Sequence, residues 1–140
     1  MSLGISDVVQ LKPHYSQHIA DDRCVYLFSE TCTYVLNGKA YCMLVPLIAS
    51  RGMTVEDIII KTCDVISPEY ILYAIDHLLK SGLITTDRAD NDEENVFWWM
   101  NDIAPSVARD NIARCRVNVS SFGLPDGTAG TLTEALGALG

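Results

Sequence analysis

Five cysteines, three histidines and scattered carboxylates are the groups in this 140-residue chain with chemistry to offer. Cys24, Cys32, Cys42, Cys63 and Cys115 are separated by 8, 10, 21 and 52 residues, and no CxxC pair occurs. A zinc site usually begins from such a local pair and draws four deprotonated ligands together. Most of these cysteines sit in apolar runs, where a thiol packs as a small hydrophobe, so they are expected to be reduced and structural. His14 and His18 fall at even spacing in a stretch read as one strand, residues 11–20, which would put both on one face. No third ligand or carboxylate motif accompanies them, and neither a metal site nor acid/base work follows. Ser29 with Glu30, and Asp76 with His77, lack the nucleophile, base and orienting group of a hydrolytic site. The stretch GLPDG at 123–127 has glycines without the spacing of a phosphate-binding loop. No catalytic residue, metal or cofactor is expected.

The balance of charge narrows the partners. Ten Lys and Arg face 18 Asp and Glu, a formal net charge of -8. Residues 1–84 carry 6 basic and 9 acidic groups (net -3), and residues 85–140 carry 4 and 9 (net -5). Binding a phosphate backbone needs clustered basic groups, and these are scattered, so no nucleic acid is expected. With 49% hydrophobic and 20% charged residues the chain can bury a core. It shows neither an 18-residue apolar run nor a secretory signal, which implies no membrane span and a cytoplasmic location.

The elements that would position these groups begin with short hairpins: strands at 11–20, 23–29 and 32–36, with turns at Asp21-Asp22 and Glu30-Thr31. Val25 and Leu27 alternate with Tyr26 and Phe28, so both faces of the second strand carry large side chains. Asn37-Gly38 stops the third strand. Tyr41, Leu44, Val45, Leu47 and Ile48 then recur at helical spacing, interrupted by Pro46. Thr54, with Glu56 and Asp57 following, opens a second helix to about Cys63. Ser67, Pro68 and Glu69 open a third, from Pro68 to Lys80, with the stripe Ile71, Leu72, Ile75, Leu78 and Leu79 and a stop at Gly82.

Three helices beside a small antiparallel sheet predict an α+β fold of winged helix-turn-helix type over residues 1–86. Residues 87–115 read as a helical linker, opening on the charged stretch 87–94 and including the cluster Val96, Phe97, Trp98, Trp99 and Met100, which must be buried against something. A strand-like stretch at 116–123 and a helix-like stretch at 131–139 read as the start of an incomplete α/β domain, residues 116–140, that could pair with another copy.

Residues 11–15 (LKPHY), 25–30 (VYLFSE), 34–42 (YVLNGKAYC), 54–58 (TVEDI), 67–70 (SPEY), 82–84 (GLI), Phe97-Trp98 and 103–105 (IAP) follow one another in an order that resembles the opening of azoline-forming cyclodehydratases of the cyanobactin and related thiazole/oxazole pathways. The likeness spans nearly the whole chain; the ordered set carries it, not any single string. It implies a leader-peptide recognition element made of a winged helix, followed by a region like ubiquitin-activating enzymes and an ATP-using YcaO domain that forms the rings. Only the first is complete here, so the resemblance implies recognition of a precursor leader peptide without catalysis, with a YcaO-type cyclodehydratase domain or subunit as partner in bacteriocin or cyanobactin-type biosynthesis.

In related modules the leader adds as a strand to the third strand and lies against the third helix. Carried over, this implies the edge Thr33, Tyr34, Val35 and Leu36, with Val35 or Leu36 completing an apolar pocket, and a helix surface of Tyr70, Tyr73, Ala74, His77 and Lys80. Tyr73, His77 and Lys80, four and three residues apart, share a helical face outside the main apolar stripe. They either wall a groove, with Lys80 and His77 meeting acidic leader side chains, or Tyr73 and Lys80 merely cover the core with their stems. Two rivals remain open. A winged-helix DNA-binding regulator would read the groove with Pro68–Lys80, yet that helix sets Glu69 and Asp76 against Lys80 alone. A docking scaffold would use Phe97, Trp98 and Trp99.

Overall fold

The computed structural model describes residues 3–87, 93–120, 122–123 and 128–138. They form two compact units, residues 1–104 and 105–140. The first is the predicted α+β winged helix-turn-helix. In chain order it contains β1 (Val8–Leu11), β2 (Ser16–Ala20), β3 (Cys24–Phe28), β4 (Thr33–Asn37), α1 (Lys39–Ala49), β5 (Met53–Thr54), α2 (Val55–Thr62), α3 (Pro68–Lys80), β6 (Ile84–Thr85) and α4 (Glu93–Met100).

The strands form two antiparallel sheets, β2-β3-β4 and β5-β1-β6. The single strand expected over 11–20 is therefore two. Pro13 has no amide to give to a ladder, and the Tyr15 amide donates to the Lys12 carbonyl at 3.2 Å, closing a turn. Leu11 ends β1 in one sheet and Ser16 opens β2 in the other, so His14 lies in the turn and shares no strand face with His18. The β2–β3 hairpin closes where expected: Asp21 and Asp22 both take positive φ, 54° and 53°, and the Arg23 amide donates to the Ala20 carbonyl at 3.3 Å. Asp tolerates this left-handed geometry, which matches the twist of the flanking strands.

Helix ends follow local chemistry. The Thr54 hydroxyl accepts from the Asp57 amide at 3.1 Å and donates to the Asp57 carboxylate at 2.7 Å, capping α2. Ser67 makes no side-chain cap; Pro68 and Glu69 start α3 without it. At its other end the Leu83 amide donates to the Leu78 carbonyl and the Gly82 amide to the Leu79 carbonyl, both 3.0 Å, around Gly82 at φ 70°. That double closure satisfies carbonyls the helix leaves free and needs a residue at ease with positive φ. α1 continues through Pro46.

Leu44, Val45 and Ile48 of α1, Ile58 of α2, and Ile71, Ile75 and Leu78 of α3 pack on Val25 and Leu27 of β3 and on Val9 and Leu11 of β1, all buried in one core. Each such side chain contributes about 1.5–3 kcal/mol on burial. The aromatic cluster of α4 belongs to the same compact unit. Lys12, itself buried, reaches Asp102 at 3.1 Å and lies 5.5 Å over the Trp99 ring, and Trp99 is buried while Phe97 is exposed.

The second unit contains α5 (Pro105–Arg114) and α6 (Thr128–Ala138). The strand expected at 116–123 is absent among the described residues of that stretch, consistent with a segment that has no neighbouring strand to pair with. Positions 124–127 of the stretch GLPDG lie outside the described residues, as do positions 88–92 of the charged stretch. No described helix is long and apolar enough to cross a membrane.

Candidate binding edge

In the sheet β2-β3-β4 the last strand pairs with β3 on one side, and no described residue pairs with its other margin. Its five residues, Thr33, Tyr34, Val35, Leu36 and Asn37, include no charge and no proline, the devices that usually protect an edge from further pairing. Register assigns their faces. Leu36 stands across from Val25 and Tyr34 across from Leu27, on the face that meets the helices; Leu36 is 6% exposed. Val35 stands across from Tyr26 and Thr33 across from Phe28, on the opposite face. A pocket against the helices can therefore use Leu36 and Tyr34, but the suggestion that Val35 completes it fails, because adjacent residues of a strand point apart.

On α3, Ala74 is buried, while Tyr70, Tyr73, His77 and Lys80 are exposed; Tyr73 retains 65% of its surface. The rings of Tyr73 and His77 lie nearly parallel, 6.5 Å apart with an 11° interplanar angle. Tyr41, in the first turn of α1, meets His77 edge-on at 5.8 Å, and its hydroxyl shares a 3.0 Å hydrogen bond with His77 Nδ1. Burial, and then the neighbouring Tyr73, push the Tyr41 phenol above its usual range, so it stays protonated and able to donate. Tyr41 escaped the sequence reading because its spacing placed it in the apolar stripe of α1. Only three residues separate it from the end of β4, and its ring lies beside Gly38, so it stands between the strand's end and the exposed aromatic face of α3.

Lys80 does not stand free. Its ammonium pairs with Asp76 one turn back at 2.6 Å, both side chains being open to solvent. Such exposed pairs stabilise by about 0–1 kcal/mol and yield readily to a competing carboxylate. The exposed part of α3 thus offers aromatic surface first and charge second.

Behind Tyr34 stands Tyr15, edge-on at 6.0 Å, and against Tyr15 stands His14 at 4.1 Å. Burial holds the Tyr15 phenol well above its usual range. Burial also lowers His14, helped by Lys12, while Asp102 acts in the opposite sense. Ser29 is a turn residue: its hydroxyl accepts from the Cys32 amide at 3.1 Å and lies 3.1 Å from the Cys32 thiol. That contact lowers the thiol from its ordinary value. Among the described residues no three His, Cys, Asp or Glu side chains gather as metal ligands would.

Residues 10–86 match the winged helix-turn-helix domain family. Among solved structures, the chain is similar to a heterocyclase in complex with substrate and cofactor, at 30% identity and a TM-score of 0.72 over 95% of this chain and 18% of that one. It is also similar to the heterocyclase TruD, at 28% identity and a TM-score of 0.69 over 95% of this chain and 19% of that one. The chain thus spans under a fifth of the length of the heterocyclases it matches. Among curated proteins none matches.

Proposed function

The chain belongs to the winged helix-turn-helix domain family, and from that premise we propose that it binds the leader of a ribosomally made precursor peptide and presents it to a heterocyclase that forms azoline rings. The observation that carries this reading is the unprotected margin of β4, with Leu36 and Tyr34 turned toward the helices and Tyr41, Tyr73 and His77 gathered beside the strand's end. An extended guest would satisfy the free amides and carbonyls of β4 through its main chain, and its alternate side chains would meet the aromatic surface. The catalytic step belongs to the cyclodehydratase partner. The expected binding residues are Thr33 and Val35 for the main-chain ladder, because the amides and carbonyls of Tyr34 and Leu36 turn toward β3, and Tyr34, Leu36, Tyr70, Tyr73, His77 and Tyr41 for side-chain contact. Ala74 forms the floor, and Lys80 is recruited only where a guest carboxylate displaces Asp76.

The test is an affinity titration with the leader encoded by a short reading frame, rich in Cys, Ser or Thr, beside the gene. Tyr73→Glu places a charge on the aromatic surface and is expected to weaken the leader at least about tenfold, about 1.4 kcal/mol. Equal affinity of Tyr73→Glu and the parent would overturn the assignment.

A further inference from the structure

The two faces of β4 have different company, and the outer one is unusual. The solvated face of an antiparallel sheet is ordinarily polar. Here the outer face carries Tyr26 and Phe28 of β3, stacked at 6.1 Å with an interplanar angle of 12°, and Val35 of β4, which is 50% exposed. The register arranges them in rows across the sheet. One row runs His18, Tyr26, Val35 and the next Ser16, Phe28, Thr33, from β2 through β3 to β4. Each row begins with a polar side chain at β2 and ends at the free margin with a β-branched one.

A strand added to β4 extends those rows by one member. Cross-strand partners stand on the same face with their Cβ atoms about 4.5–5.5 Å apart, whichever direction the guest runs. The guest residue opposite Val35 therefore cannot enter the surface formed by Tyr41, Tyr73 and His77; it lies on the outer face beside Val35, in line with Tyr26. We propose that Val35 is a specificity-determining residue that reads this outward guest position and favours an uncharged β-branched or aromatic side chain there. The leader is then read on both faces of one strand, by α1 and α3 on the inside and by Val35 on the outside. This inference rests on the strand-addition reading above.

The test is selection of displayed random 12-residue peptides on the full 140-residue chain, on Val35→Lys and on Tyr73→Glu, with melting curves to check that each variant folds. Val35 is half exposed, so lysine is expected to be accommodated without loss of the fold. Peptides enriched on the parent should carry Val, Ile, Thr or an aromatic residue at one position, and Val35→Lys should shift that same position to Asp or Glu while its neighbours stay unchanged. An opposite-charge cross-strand pair is worth up to about fivefold in affinity, enough for selection to register. If enriched peptides are weakened by Tyr73→Glu but keep the same residue preferences on Val35→Lys, the outer-face inference is overturned and strand addition stands. If no peptide is enriched, or enriched peptides ignore both substitutions, strand addition itself is overturned and the inference with it.

Discussion

β2 and β4 are the two outer strands of one three-stranded sheet, each with a margin that no described residue pairs with, yet only one is equipped to hold a guest. On β2 the residues turned toward the helices, Gln17 and Ile19, remain exposed, Ile19 by 37%. On β4 the corresponding Leu36 is buried in the core and Tyr34 is backed by Tyr15. A guest on β2 would gain main-chain bonds alone, which largely replace bonds to water and contribute little net free energy each. A guest on β4 would add side-chain contact with Tyr34, which Tyr15 backs, and with Tyr41, whose ring lies beside Gly38 at the strand's end. An open ladder becomes a binding site only where packed side chains stand behind it.

The largest expected effect breaks that contrast at its base. Leu36→Ala should destabilise the fold by about 2–5 kcal/mol in urea unfolding, the cost of a cavity in a packed core. Ile19→Ala, at a partly exposed position, should cost under about 1 kcal/mol; equal losses would mean that the core extends under β2 as far as under β4. Tyr41→Phe comes next. It removes the hydroxyl that meets His77, and should lower stability, or leader affinity where the contact persists in the complex, by about 0.5–1.5 kcal/mol. Gln17→Glu, the matched change on the β2 side, should leave leader affinity unaltered.

The smallest effect concerns pH. His14, behind Tyr15 and Tyr34, is held below its ordinary value of 6.5, chiefly by burial. The unfolded chain then binds the proton more readily than the folded one, so stability rises with pH through this range and falls as pH drops below 6.5. Subtracting the stability profile of His14→Gln from that of the parent should isolate this loss; a flat difference between pH 5 and 7.5 would show that His14 titrates normally. Because Tyr15 links His14 to Tyr34, the same pair of proteins measures whether the support behind β4 is sensitive to acid.

Much of the scaffold was legible because it is locally encoded. Asp21-Asp22, Thr54 with Asp57, Pro68 with Glu69, and Gly82 each satisfy or terminate a backbone within a few residues, and the periodic stripe of α3 needed no distant partner to declare itself. β1 was hidden for the opposite reason: its four residues pair with two-residue strands near positions 53 and 84, so no local pattern distinguishes them from the stretch that follows. The candidate site divides in the same way. Tyr73 and His77 share a face by helical spacing alone, and the unprotected composition of β4 is plain in its letters.

What the chain's order of residues determined by itself is therefore a third helix opened by Pro68 and closed at Gly82, a hairpin sheet and a strand without charges, since all of these depend on residues a few positions apart. Tertiary packing alone decided that Val35 faces away from the helices, that Tyr41 reaches His77, that Lys80 is engaged by Asp76, and that β4 rather than β2 has a core behind it. Strand register, rotamer choice and burial depend on which distant surfaces meet, and no short window of sequence contains both partners.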